Sequence, residues 1–301
     1  MFVKCDCDIN AQDKYGNTPL HYAAAGSFLK CVELLIRSGA DVNETNNCLY
    51  ELENVDLDES TVLGQCATSL MLACAFDQEG YVVRELKFSA RARADIEDKN
   101  GFNTLHYAAI QGNRNVIEII LNECKTLDQQ NNEQKISPLH LLCHFGHREA
   151  LEFLLRTGFE PDLFDANGRT PLDIACFNGE LLCVDFLVTW GANYEAQDNI
   201  NGRTPIHAAA YTNNYDCLRF IFNHHKSKLA NLSSSSDNVN DDLVNIRDNY
   251  QRTPLMYAVE QGHLNTINFL IDEFSADVLL SDDKQRTALH RALRSIVNFL
   301  K

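Results

Sequence analysis

The chain has little proline and glycine, 6 and 14 in 301 residues, against 45% hydrophobic and 23% charged residues. That excludes the low-complexity and disordered classes and leaves a folded protein with a sizeable core. There is no CxxC pair, and eleven cysteines are an odd number. A disulfide framework or zinc ribbon is therefore not expected, and reduced thiols are. Signatures of catalysis are also missing: GxSxG, HExxH and a glycine-rich phosphate loop do not occur, so no enzyme and no cofactor is expected. Basic residues are scarce, with 26 Lys+Arg against 42 Asp+Glu and a net charge of -16. Such a chain is a poor match for nucleic acid, whose binders release counterions with a basic surface. Long apolar runs are lacking too. The start MFVKCDCDIN carries no signal-peptide core, and Leu181 to Trp190 is short and interrupted by Asp185, so no membrane span is expected. The expected location is the cytoplasm, with the nucleus as a further compartment.

What the chain does contain is repetition. At 301 residues a single core would be near its upper size of roughly 250 to 300 residues, but a repeat array escapes that limit. Related motifs begin at Thr18 (TPLHYAA), Thr68 (TSLMLAC), Asn103 (NTLHYAA), Ser137 (SPLHLLC), Thr170 (TPLDIAC), Thr204 (TPIHAAA), Thr253 (TPLMYAV) and Thr287 (TALHRAL). Successive starts differ by 50, 35, 34, 33, 34, 49 and 34 residues.

Each motif reads as a helix start. Thr or Ser caps orphan N–H groups, and Pro at the first helical position has no N–H to lose. Leu20 with Ala23 and Ala24 forms an apolar face small enough for a neighbour to approach, and Gly112, Gly146, Gly179 and Gly262 end the helix. A second apolar segment follows at helical spacing, as in Val116, Ile117, Ile120 and Leu121, or Cys183, Val184, Leu187 and Val188. The tracts DKYGN, DKNGF and DANGR carry turn chemistry and predict projecting β-hairpin fingers. Cys74, Cys143 and Cys176 stand six residues after their motif starts, where other repeats carry Ala24, Ala109 or Ala210, and so read as small packing residues.

This motif and its period of about 33 residues resemble the ankyrin repeat. The resemblance implies an all-α ankyrin-repeat solenoid of about eight repeats, residues 1–301 forming one array. Two long steps place loop insertions at 44–66 and 224–244. Glu44 to Ser60 holds six acidic residues and no basic one, and the run Ser233 to Ser236 lies in the second insertion. The expected state of both is solvated loop; the alternatives are an acidic docking strip and a phosphorylation switch. The chain begins inside a finger and stops at Lys301 after one helix-like stretch, which fits a piece of a longer array.

Particular tracts resemble the ankyrin subunits that regulate serine/threonine protein phosphatase 6. They are ISPLH at Ile136, GRTPLD at Gly168, CVDFLV at Cys183, GRTPIHAAA at Gly202, CLRFI at Cys217, TPLM at Thr253 and RTALHRA at Arg286. This likeness implies a non-enzymatic scaffold that joins a phosphatase catalytic subunit and its associated regulatory protein to substrates. The alternative contexts are the ankyrin segment of a larger channel, a ubiquitin-ligase adaptor or a cytoskeletal linker.

In ankyrin stacks the short helices and finger tips line a concave face, so residues four, seven or eight past each motif start are candidate protein contacts: Tyr107, Ile110, His144, Phe145, Phe177, Tyr211 and Tyr257. Aromatic residues there would bury much area for little entropy, with packing between repeats as the competing role. Finger residues Tyr15, Arg169, Arg203, Tyr250 and Arg252 form a second set. His21, His106, His140, His207 and His290 share the fourth motif position and read as structural. A metal-dependent enzyme at Cys143, His144 and His147 is the remaining rival, and no second ligand pair stands at zinc spacing.

Overall fold

Helices begin where the capping motifs place them. A computed structural model of the chain describes residues 7–47, 66–123, 135–232 and 243–299. The motifs open α1 (Pro19–Ala25), α3 (Ser69–Phe76), α5 (Thr104–Gln111), α7 (Pro138–His144), α9 (Pro171–Asn178), α11 (Pro205–Tyr211), α13 (Pro254–Gln261) and α15 (Ala288–Phe299). Between them run the second helices: α2 (Leu29–Arg37), α4 (Tyr81–Arg84), α6 (Arg114–Glu123), α8 (Arg148–Arg156), α10 (Leu181–Trp190), α12 (Tyr215–Leu232) and α14 (Leu264–Asn268).

The cap works in two ways. In the repeats with Met or Asp at the fourth position the hydroxyl accepts a backbone N–H, as Thr68 does from Met71 at 3.3 Å and Thr170 from Asp173 at 3.2 Å. In the histidine repeats the ring intervenes. The Thr18 N–H donates to His21 Nδ1 (3.2 Å), which leaves the proton on Nε2, 3.1 Å from the Ala67 carbonyl of the next repeat. His106 and His207 reach the Ile136 and Arg252 carbonyls in the same manner, at 2.9 and 3.1 Å. The histidine thus ties its own helix start to the following repeat, and burial holds His21 and His207 below the ordinary imidazole range.

The chain divides into two compact units, residues 1–141 and 142–301. In the first, α1, α3 and α5 lie side by side, with α2, α4 and α6 packed on them. Leu20, Leu70, Met71, Leu105, Val116, Ile117 and Ile120 form its core with essentially no exposure. In the second, α9 packs on α11, α11 on α13 and α13 on α15, while α8, α10 and α12 form the outer row. Leu172, Ile206, Leu255, Leu187, Leu218 and Ile221 fill the space between the rows. Cys74, Cys143 and Cys176 are fully buried, in the small-residue role their register implies. Burial pushes their thiols up, and Cys217 to about 12.

The fingers are tight turns and not two-stranded ladders; among the described residues pairing is confined to the single bridges Thr45 with Thr68, Glu97 with Asn103 and Ser281 with Thr287. A carboxylate takes the place of a ladder. Asp165 accepts the N–H groups of Asn167 and Arg169 at 2.9 and 2.8 Å. Asp13, Asp98, Asp248 and Asp282 do the same two and four residues ahead. The glycine amides inside the turns donate to the aspartate carbonyls, Gly101 to Asp98, Gly168 to Asp165 and Gly202 to Asp198, at 2.9, 2.9 and 3.2 Å. Gly168 has φ of +78°, and a Cβ there would come within 2.5 Å of the Asn199 backbone nitrogen, so the next finger packs against it.

The stretch expected as the second insertion starts as helix, because α12 continues through Leu232. Phe222 anchors this outer helix against Phe274 at 4.8 Å between ring centroids. Most of the first insertion and the run Ser233 to Ser236 lie outside the described residues.

Candidate protein-binding surface

The second oxygen of a finger aspartate can tie the finger to the short helix that follows it. In three repeats it accepts the hydroxyl of the tyrosine nine residues on: Tyr22 to Asp13 at 2.6 Å, Tyr107 to Asp98 at 2.9 Å and Tyr257 to Asp248 at 2.8 Å. The position four past the motif start is therefore a lock between short helix and finger. Tyr107 is fully buried and Tyr257 only 4% exposed, which corrects the expectation that both stand out as binding anchors. Burial and the bond to Asp248 push the Tyr257 hydroxyl well above the ordinary phenol range.

Positions seven and eight past the start remain open. Phe177 is 48% exposed and stacks near Tyr211 at 6.4 Å between centroids. Tyr211, His144, Phe145 and Ile110 are half-buried. His144 takes the Asn178 side-chain amide at 2.9 Å, and its ring meets the edge of Phe145 at 4.7 Å. The neighbouring Cys143 is wholly buried. Among the described residues no three His, Cys, Asp or Glu side chains gather to hold a metal ion.

The finger arginines form a series. Arg169, Arg203 and Arg252, with Arg286 at the equivalent place, each precede a capping Thr in the second unit, where the first unit has Asn17, Ala67, Phe102 and Ile136. Each is held by its own aspartate. Arg169 Nε lies 2.8 Å from Asp165, Arg203 Nε 3.4 Å from Asp198, Arg252 Nε 2.7 Å from Asp248 and Arg286 Nε 2.9 Å from Asp282. Arg252 also lies over the rings of Tyr250 and Tyr257, at 4.9 and 4.5 Å from their centroids. Tyr250 itself is 45% exposed.

A groove of about 510 Å³ in the second unit brings together Arg203, Tyr211, Tyr250, Arg252 and Tyr257. Arg169 and Phe177 border a smaller recess beside Arg203. Tyr15 belongs to the first unit, 40% exposed under the ammonium of Lys14. Among the groove residues that the sequence did not single out are the charged Glu260, Asp283, Lys284, Arg286 and Arg291. Arg286 had the same register signal as Arg252. Arg291 stands where other repeats carry the locking tyrosine and replaces it chemically, its guanidinium donating to Asp282 at 2.7 Å and Glu260 at 2.6 Å. Burial opposes the charge of Asp282, yet the bonds from Arg286 and Arg291 hold its carboxyl well below the usual range.

Comparison with known proteins agrees with this architecture. A family model of ankyrin repeats in three copies matches residues 124–198, 158–232, 191–282 and 229–301, and a single ankyrin repeat model matches 15–47. Inversin from Canis lupus familiaris is 28% identical over 212 residues, covering 63% of this chain and 20% of inversin. A Caenorhabditis elegans homologue of transient receptor potential cation channel subfamily A member 1 is 25% identical over 190 residues, covering 63% of this chain and 14% of the channel. The Arabidopsis thaliana E3 ubiquitin-protein ligase XBAT33 is 29% identical over 199 residues, covering 65% and 34%. The chain thus spans between a seventh and a third of the length of these relatives. No helix among the described residues is long and apolar enough to cross a membrane. Stacked helix pairs, turn-built fingers and the match over residues 124–301 agree: the chain belongs to the ankyrin repeat family, whose repeats mediate binding between proteins.

Proposed function

We propose that this chain is a non-enzymatic scaffold that holds partner proteins on the short-helix and finger side of residues 142–301. The observation that carries it is the groove of about 510 Å³, where the candidate residues Arg203, Tyr211, Tyr250 and Arg252 meet, with the buried Tyr257 ring under the two guanidinium groups. Interfaces draw their energy from such Arg and Tyr anchors, whose positions are fixed before the partner arrives. Chemistry is disfavoured by the same structure. The buried Cys143 and Cys176 thiols are pushed toward the protonated form, and the motif histidines are spent on helix starts. The test is capture of partners on the immobilised chain against a Phe145→Ala plus Phe177→Ala variant. The variant should lose a discrete subset of partners while its circular dichroism stays unchanged; retention of every partner would refute this binding face.

A finer reading rests on the ordered tracts from Ile136 to Arg286, which resemble the phosphatase 6 ankyrin subunits. In this reading the chain, in the cytoplasm and the nucleus, recruits a phosphatase catalytic subunit with its associated regulatory subunit. The channel and ligase among the relatives favour a different context, a repeat segment of a larger protein. Affinity purification from the native cell separates the two. Reproducible recovery of the phosphatase supports the first, and its absence among abundant other partners removes it.

A further inference from the structure

We propose that the groove between the fingers of Arg203, Arg252 and Arg286 binds an acidic, extended segment of a partner protein. The proposal rests on the scaffold reading and names the chemistry of the partner. Five cations line the groove, Arg203, Arg252, Lys284, Arg286 and Arg291, against two anions, Glu260 and Asp283. Asp198, Asp248 and Asp282 are buried behind these arginines, so the region is formally balanced and its solvent-facing side is the cationic one, in a chain with a net charge of -16.

The guanidinium groups are oriented before any ligand arrives. Asp198, Asp248 and Asp282 lie behind them, at most 4% exposed, while the Arg203, Arg252 and Arg286 side chains keep 30, 17 and 25% of their surface open. These aspartates also accept two backbone amides each. They anchor the Nε edge of each arginine but cannot use all five of its donors. Stacking of Arg252 on Tyr250 and Tyr257, and of Arg203 on Tyr257 at 5.9 Å, removes the remaining freedom. A carboxylate arriving from the solvent side meets donors already aimed at it, and little side-chain entropy is left to lose.

Lys284 is exposed and makes no ion pair with a described residue, so it favours an added negative charge in the groove. The geometry also fits an extended chain. Asn249 donates to the Asn201 carbonyl at 2.9 Å and Asp283 to the Tyr250 carbonyl at 3.0 Å, so the three fingers follow one another as closely as their helices pack. Neighbouring helices lie about 8–10 Å apart, and an extended peptide in the polyproline II form rises about 3.1 Å per residue with three residues per turn. Acidic side chains three residues apart therefore share one face and meet successive arginines.

The test is fluorescence anisotropy of a labelled Glu-Gly-Gly-Glu-Gly-Gly-Glu peptide titrated with the whole chain. The glutamate peptide should bind at least about tenfold more tightly than its glutamine counterpart, and more weakly as salt is raised. Lys284→Glu, which breaks no side-chain ion pair or hydrogen bond with a described residue, should weaken it by about tenfold or more. Arg156→Glu, the same charge change on the exposed end of α8, should change it by less than about twofold. Equal binding of the glutamine peptide, equal loss in the two variants, or comparable binding of a labelled oligothymidylate at the same salt would each overturn the proposal. If the glutamate peptide fails to bind while partner capture still depends on Phe145 and Phe177, the acidic assignment falls and the scaffold reading stands. If both fail, both fall.

Discussion

At Asp173 the repeat departs from its own rule, placing a carboxyl where five other repeats have histidine. Burial, with smaller additions from Asp198 and Asp165 and opposition from Arg169 and Arg203, pushes this carboxyl up to about 7 from 3.8. The folded value exceeds the unfolded one, so the group's contribution to stability is whole below its unfolded value and is lost as pH rises through its folded value. Asp173→Asn should therefore change stability little near about pH 4 and raise it near about pH 8, by at most about 4 kcal/mol. Urea midpoints of the two proteins at both pH values check this, and a gap that fails to widen with pH refutes it. His21 and His207 work in the opposite sense. Burial depresses them, so their contribution is present above the unfolded value of 6.5 and lost as pH falls through the folded ones. The buried thiols give a second outcome at this scale. Cys176→Ala puts the repeat's commoner residue at that position and should cost less than about 1.5 kcal/mol, whereas Cys176→Ser buries a hydroxyl and should cost about 1–3 kcal/mol.

At the scale of the element, the finger depends on one carboxylate. Asp248, with its side chain fully buried, serves the Tyr250 and Arg252 amides, the Arg252 guanidinium and the Tyr257 hydroxyl. Asp248→Ala should cost about 3–5 kcal/mol, because it strands a charge and several donors, while Tyr257→Phe, which loses one bond, should cost about 1 kcal/mol. Denaturant unfolding of both variants tests the ratio; a milder effect for Asp248→Ala than for Tyr257→Phe would refute the finger as the organising element. Much of the helix pattern was legible in the sequence, since caps, Pro at the first turn and apolar spacing act within a few residues, and every motif start opens a helix. The solvent-facing residues were less so. Tyr107 and Tyr257 looked like anchors because helical register cannot show that an aspartate nine residues earlier claims their hydroxyls. The continuation of α12 to Leu232 was hidden by polar composition, and Phe222 on its inner side outweighs that composition through its contact with Phe274.

For the whole molecule, charge and chemical durability depend on the sum of these parts. With a net charge of -16 and an isoelectric point near 5.0, solubility should be lowest close to that pH, where mutual repulsion vanishes. Turbidity across pH checks this, and a minimum more than about one pH unit away would mean that exposed patches, not net charge, govern association. The groove escaped the sequence reading because it is made by three fingers together. Arg252 and Arg286 look alike along the chain, yet only their alignment, with Arg291 in a tyrosine's place, makes one recess with a row of guanidinium groups toward solvent and their aspartates behind. The turn geometry has one more outcome, concerning ageing. Asn100–Gly101, Asn167–Gly168, Asn178–Gly179 and Asn201–Gly202 are the dipeptides at which a free glycine amide attacks the asparagine side chain and closes a succinimide. In the fingers three of these nitrogens are already committed to aspartate carbonyls, and that of Gly179 to the Ala175 carbonyl at the end of α9, so isoaspartate should accumulate only after the chain has unfolded, and its level would record how often the molecule has opened.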